Sequence, residues 1–212
     1  MRVLVSGGSR GIGAATCIRI AEAALARGER PRIAVCGREA SEPQEEVVRS
    51  VLAMGGDAIS LSGDLSDSNV APRLVEAAAS AFGGLDALVA NAGVASPGAI
   101  CSLSVADWDK MFNINVRGAW LLAKHSHPYL KESRGAACFT SSMSGQVPHE
   151  GSGAYSPAKA ALAMLAQTLS LEWAPDGIRV NVVSPGMTHT PMSAKMYACL
   201  LYTSPSPRDR QK

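Results

Sequence analysis

Tyr155 and Lys159 stand four residues apart, one turn of an α-helix, so both side chains leave the same face and can meet around one reacting group. A free phenol titrates near pH 10, too high for ready proton exchange at neutral pH, and a neighbouring ammonium favours its phenolate. The pair therefore suits proton transfer to or from a substrate oxygen. Taken singly, each residue has an ordinary reading: a packed ring, a solvated charge, and Ser141, Ser142 and Ser144 as a turn before Gly145.

A second chemical feature lies at the other end of the chain. An apolar run from Arg2 leads straight into Ser6-Gly7-Gly8-Ser9-Arg10-Gly11-Ile12-Gly13. Glycines at a strand-to-helix turn create a seat for a dinucleotide pyrophosphate: Gly7 permits the tight turn, Gly11 lets backbone approach phosphate, and Gly13 lets the helix pack on the strand. Ser9, Arg10 and Ile12 share that turn.

These residues need a frame. Short apolar runs at 2–6, 32–37, 58–63, 87–90, 136–141 and 179–183 alternate with helical periods, the pattern of a parallel sheet covered on both faces. Helices are expected after Gly13 and over 66–82, 104–130 and 155–173, with Gly28 as a left-handed stop to the first. The expected class is α/β, a doubly wound Rossmann-type parallel sheet of six strands. One domain is expected over 1–198.

The three-residue gap between Gly7 and Gly11 resembles the T-G-x-x-x-G-x-G pattern of the short-chain dehydrogenase/reductase family, with Ser6 for the usual threonine. Further matches follow in that family's order: Asp64-Leu65, Ala90-Asn91-Ala92-Gly93, Asn115, Ser142, Tyr155-x-x-x-Lys159 and Pro185-Gly186. The resemblance implies hydride transfer between a nicotinamide and a carbonyl or secondary alcohol, with Tyr155 moving the proton. It further implies that Ser142 bonds the substrate oxygen, that Lys159 holds the cofactor ribose, and that Asn115 holds a water linking Lys159 to solvent. Asp64, beside Leu65, would meet the adenine amino group, and Asn91, Ala92 and Gly93 would line the ribose. Pro185 and Gly186 would approach the nicotinamide, with Thr188 and Thr190 as candidates for its carboxamide. Family members also continue into a substrate-covering segment and a seventh strand, which this chain is expected to lack.

Charge argues the choice of cofactor. An NAD-preferring site ends its second strand in an acid that binds the ribose hydroxyls and repels a 2′-phosphate, whereas here the strand ends Cys36-Gly37-Arg38. Arg38 offers a planar cationic fork, and Arg10 lies nearby in the glycine turn. NADP(H) is expected over NAD(H), although Glu39 competes for the same arginine.

With 20 basic and 18 acidic residues scattered along 212, the chain shows no footprint for nucleic acid or an anionic membrane, so the expected partner is a small molecule. Five unpaired-looking cysteines and two histidines, His125 and His127, in no ligand spacing give no metal site. The default location is cytoplasmic. Helices at 104–130 and 155–173 resemble those that pair in family dimers, so a homodimer is expected. Residues 199–212 break the pattern as a non-native or disordered tail, in which 199–209 resemble a translated sequencing adapter; the sheet edge left bare by the lost seventh strand predicts poor solubility and little activity. A non-catalytic dinucleotide-binding protein and an inert truncated fragment remain the alternatives.

Overall fold

The computed structural model describes residues 1–194, and the tail expected at 199–212 lies outside them. Six parallel strands form one sheet: β1 (Arg2–Ser6), β2 (Arg32–Gly37), β3 (Asp57–Ser62), β4 (Ala87–Ala90), β5 (Ala136–Thr140) and β6 (Arg179–Val183). Their order is β3-β2-β1-β4-β5-β6. The chain winds outward from β1 to β3, then returns to lay β4 on the other side of β1. That reversal opens a crevice at the carboxyl ends of β1 and β4, where Ser6 stands opposite Ala90.

Two helices cover one face, α1 (Gly11–Leu25) and α2 (Glu42–Ala53), burying Cys17, Ala21, Val47 and Val51 against Val3, Val5, Ile33 and Val35. The opposite face packs α3 (Val70–Phe82), α5 (Ala119–Ser133) and α6 (Tyr155–Glu172) against Leu4, Leu88, Ala137 and Phe139. Each fully buried leucine of this kind contributes about 1.5–3 kcal/mol, which is why near-continuous apolar strands read as central strands.

Element bounds depart from expectation where polar side chains intervene. Strand β3 begins and ends one residue earlier than the apolar run, and β5 stops at Thr140, before Ser141 and Ser142. The helix expected from Ser66 begins at Val70, because Asp64 and Asp67 instead accept from the N–H groups of Ser66 at 2.8 Å and Asn69 at 2.9 Å and shape turns. The long helix expected over 104–130 is two: α4 (Val105–Phe112), capped by the Ser104 hydroxyl, and α5, joined by a wider π turn at Asn113–Gly118. This turn puts Ile114, Asn115 and Gly118 on the buried side. The first helix ends as expected near Gly28, which is left-handed (φ +72°) and donates its N–H to the Leu25 carbonyl.

Among the described residues β6 bounds the sheet, with Arg179, Asn181 and Val183 exposed. No described helix is long and apolar enough to cross a membrane.

Candidate active site

The glycine turn is shaped by what its residues lack. Gly7 adopts φ +64°, and a Cβ there would stand 2.8 Å from the Ala92 Cα. At Gly13 a Cβ would lie 2.0 Å from the Gly7 carbonyl oxygen and 2.6 Å from the Asn91 amide, so helix α1 reaches the strand only without a side chain. Between them the α1 N-terminus opens with no side-chain cap: Arg10 is extended and its side chain donates to nothing in the turn. Uncapped N–H groups and the helix dipole together suit an anion.

Ser6 ties this turn to the crevice's other wall. Its Oγ accepts from the N–H groups of Asn91 at 3.0 Å and Ala92 at 3.1 Å. In return, the Asn91 amide donates to the carbonyls of Ser6 and Gly7 at 3.2 and 3.1 Å. The hydroxyl that replaces the family's threonine thus fastens β1 to β4. Gly93 continues the wall, and a Cβ on it would meet Asn115 Oδ1 at 2.8 Å and Lys159 Nζ at 3.3 Å. At Gly7, Gly13 and Gly93 the missing side chains let the turn, Asn91–Ala92, Asn115 and Lys159 close on one another, and the uncapped α1 N-terminus that they frame suits a dinucleotide pyrophosphate.

At the chemical end, Tyr155 opens α6 and Lys159 follows one turn later. The Lys159 ammonium lies 5.7 Å from the Tyr155 ring centroid and donates to the Thr140 carbonyl at 2.7 Å. Ser141 anchors the same turn, donating to the Lys159 carbonyl at 2.7 Å. Burial pulls Lys159 down to about 8. Tyr155 goes the other way: burial raises it, opposed in part by a hydrogen bond with Ser142.

The lowered phenol expected from a neighbouring ammonium is therefore absent from the protein by itself. Lys159 Nζ sits by the ring and is committed to the Thr140 carbonyl, and burial disfavours its charge, so burial remains the largest influence on the Tyr155 phenol. What the structure does bring together is the Tyr155 phenol and the Ser142 hydroxyl, which also accepts from the Ser144 N–H at 3.1 Å.

Asn115 is fully buried, and its side chain is committed to the backbone of Val94: Oδ1 accepts from the N–H at 2.8 Å and Nδ2 donates to the carbonyl at 2.9 Å. Its remaining amide hydrogen faces the Met111 sulfur at 2.9 Å. The amide thus braces the loop beside Gly93 and has no donor left for the water expected there.

At the far end of the crevice, Asp64 is held below the usual carboxylate range, chiefly by the Ser66 N–H, with Arg38 contributing. Leu65 is buried, its Cβ only 2.9 Å from the place a Cβ on Gly118 would take. Arg38 is exposed and paired with Glu39 at 2.8 Å, and Glu39 is also lowered by the charge of Arg10. Of the two cations expected to meet a phosphate, Arg38 is thus paired with Glu39, while Arg10 acts on that carboxylate only through its charge.

Beyond β6, the Pro185 carbonyl accepts from the Met143 N–H at 2.9 Å, tying that segment to the loop carrying Ser142. The Gly186 carbonyl accepts from the Thr188 hydroxyl at 3.3 Å. Thr188 and Thr190, expected at the carboxamide, line a groove with Gly11, Ile12 and Thr16. Thr190 Cβ lies 3.3 Å from where a Gly11 Cβ would be, held by Ser193 Oγ, which accepts from the Thr190 N–H at 3.0 Å and donates to the Thr188 carbonyl at 2.6 Å. A cavity of about 430 Å³ opens beside α6 between Ile100, Gly145, Gln146, Pro148, His149 and Ser156.

Sequence reasoning missed Thr140 and Ser141, which place Lys159 through a carbonyl and a hydroxyl. Adjacency to Ser142 was their one signal. A helix was expected between the second and third strands, but its bounds and the buried Gln44 were not read.

Comparison with known proteins agrees with this architecture. The sequence pattern of the short chain dehydrogenases matches residues 1–199. Cis-4-hydroxycyclohexanecarboxylate dehydrogenase of Sinomonas cyclohexanicum is 37% identical over 92% of this chain and 76% of its own length. Glucose 1-dehydrogenase of Gluconobacter oxydans is 36% identical over 91% of this chain and 71% of its own. Among solved structures, a short chain dehydrogenase from Burkholderia cenocepacia in complex with NADP superposes with a TM-score of 0.83 at 37% identity, covering 90% of this chain and 76% of that one. With its glycine turn, its Ser142–Tyr155 contact and these relatives, the chain belongs to the short-chain dehydrogenase family and is an NAD(P)-dependent oxidoreductase.

Proposed function

We propose that this chain transfers a hydride between NADP(H) and a small carbonyl or secondary-alcohol substrate, with Tyr155 carrying the proton. The observation behind it is the Tyr155 phenol facing the Ser142 hydroxyl, set beside a buried Lys159 that the Thr140 carbonyl holds at the mouth of the crevice. When bound, the nicotinamide supplies or accepts the hydride. The chain's own residues do the rest. Ser142 donates to the substrate oxygen and steadies its developing charge. Tyr155, kept protonated by burial, gives its proton to that oxygen during reduction and takes it back during oxidation. Lys159 holds the cofactor ribose and is positioned by Thr140 and Ser141. Asn115 acts through position alone, fixing Val94 and with it the wall at Gly93.

The cofactor is NADP(H) because β2 ends in Gly37 with no acid, and because Arg38 and Arg10 both act on the space beyond it. A related structure holding NADP supports this choice. Cofactor contacts fall to Gly7, Ser9, Arg10, Gly11, Ile12 and Gly13 at the turn, and to Arg38, Asp64 and Leu65 at the adenosine end. Asn91, Ala92, Gly93, Tyr155, Lys159, Pro185, Gly186, Thr188 and Thr190 complete the set. The unit is a single cofactor-binding domain over 1–198. It works in the cytoplasm as a homodimer, and exposed Trp120 on α5 with Met164 and Leu171 on α6 supply an apolar face for pairing.

A fluorescence titration with NADPH and NADH, followed by a ketone panel, tests this function. Wild type binds NADPH more tightly and turns over, whereas Tyr155→Phe binds equally well and loses about 10²- to 10⁴-fold in turnover. Undiminished turnover in Tyr155→Phe would remove the proton-transfer role. Binding without turnover in the wild type would indicate a non-catalytic binding protein, and no binding an inert fragment.

A further inference from the structure

Gln44, the third residue of α2, is fully buried beneath the carboxyl end of the sheet, a place that ordinary packing gives to an apolar side chain. Its Nε2 donates to two carbonyls, Val35 on β2 and Leu61 on β3, each at 2.8 Å. Two carbonyl acceptors demand the NH₂ group there, so the orientation of the amide is chemically determined. The other half of the amide, Oε1, is buried with no hydrogen-bond partner among the described residues. It points at Gly37: a Cβ on that residue would stand 2.3 Å from Oε1 and 3.2 Å from the Glu39 carbonyl. The last residue of β2 is thus held between a pinned amide and the backbone of the turn that follows, and that turn carries Arg38.

We propose that Gln44 is a positioning residue for cofactor selection: by splicing β2 to β3 and seating Gly37, it sets the path of residues 37–39 and presents Arg38 to the 2′-phosphate of NADP(H). Gln44 touches neither cofactor nor substrate. Apolar packing alone would be met by a leucine, whereas the two hydrogen bonds and the glycine opposite Oε1 specify one backbone course. This role rests on NADP(H) being the preferred cofactor.

The test is a binding ratio, read by fluorescence titration of the full chain with NADPH and with NADH, without turnover. Gln44→Met keeps length and volume but removes both hydrogen bonds. It weakens NADPH binding roughly tenfold, the loss of one charge-assisted hydrogen bond, and changes NADH less than about twofold. Gly37→Ala lowers the NADPH/NADH ratio when Gln44 is present and much less beside Gln44→Ala, because the clash requires the amide. Should Gln44 variants fail to fold, Gly37→Ala by itself decides, and an unchanged ratio overturns the proposal. Equal loss for both cofactors, or a lower Tm with the ratio intact, reduces Gln44 to a structural residue and also overturns it. A wild type that prefers NADH, or neither cofactor, overturns the cofactor reading and this role together. A wild type that prefers NADPH with an unmoved ratio in every variant overturns this role alone.

Discussion

The two ends of the crevice are built on opposite principles. At the glycine turn, missing side chains let backbone meet backbone, and the charges that matter, Arg10 and Arg38, stand in solvent. Around Tyr155, half-buried, and Lys159, buried, titratable groups are driven from their ordinary ranges by burial. A binding end that works by shape tolerates solvent because phosphate carries its own strong charge. At the chemical end burial is the largest cause of both shifts, so loss of solvation sets the titration there. The practical difference is that the first end breaks sterically and the second breaks with pH.

The sharpest contrast comes from Gly13. A methyl group 2.0 Å from the Gly7 carbonyl forces α1 off β1, so Gly13→Ala abolishes cofactor binding and costs about 1–3 kcal/mol or more, read from the denaturant midpoint. Native stability and intact NADPH binding in this variant would break the steric account of the glycine turn.

Lys159 sharpens the other side. Its folded value of about 8 lies below the ordinary 10.5, so the fold disfavours the charged form. Between those two values the unfolded chain binds more protons, and stability gains as pH rises through the window. Relative to Lys159→Met, wild type therefore gains about 3 kcal/mol between pH 8 and 10.5, measured as the difference between their urea unfolding curves. A pH-independent difference would mean that Lys159 titrates normally.

Ser6 belongs to both ends, because its hydroxyl satisfies two N–H groups on the opposite wall. Ser6→Ala costs about 1–3 kcal/mol and loosens binding, while Ser6→Thr restores both, as calorimetric melting with and without NADPH checks. Loss in both variants would mean that volume at this position matters more than the hydroxyl. The smallest effect belongs to the exposed pair: Glu39→Gln frees Arg38 and tightens NADPH roughly two- to fivefold, an advantage that fades as salt is raised. No gain at low salt would show that Glu39 does not compete.

Much of this was legible in the residues. Strand positions were read to within a residue because buried parallel strands are continuously apolar, and Gly7 and Gly13 announced close approach because no other residue allows it. The π turn at Asn113–Gly118 was hidden, since it follows from Asn115 reaching for the backbone of Val94, twenty-one residues away. The bounds of helix α2 were hidden too, because its core-facing stripe is short and opens with the polar Gln44. The packing of Thr190 against Gly11 was hidden as well, because it is a tertiary contact between segments far apart in the chain.

By itself the sequence determined the strand-helix alternation, the two clusters of chemistry and the order in which the chain visits them, because each depends on local spacing or on a single missing side chain. Tertiary structure alone decided the protonation of Tyr155 and Lys159, the commitment of Asn115 to Val94 and the seating of Gly37 on Gln44. Those depend on which distant segments exclude water or offer a carbonyl, and no local pattern records that.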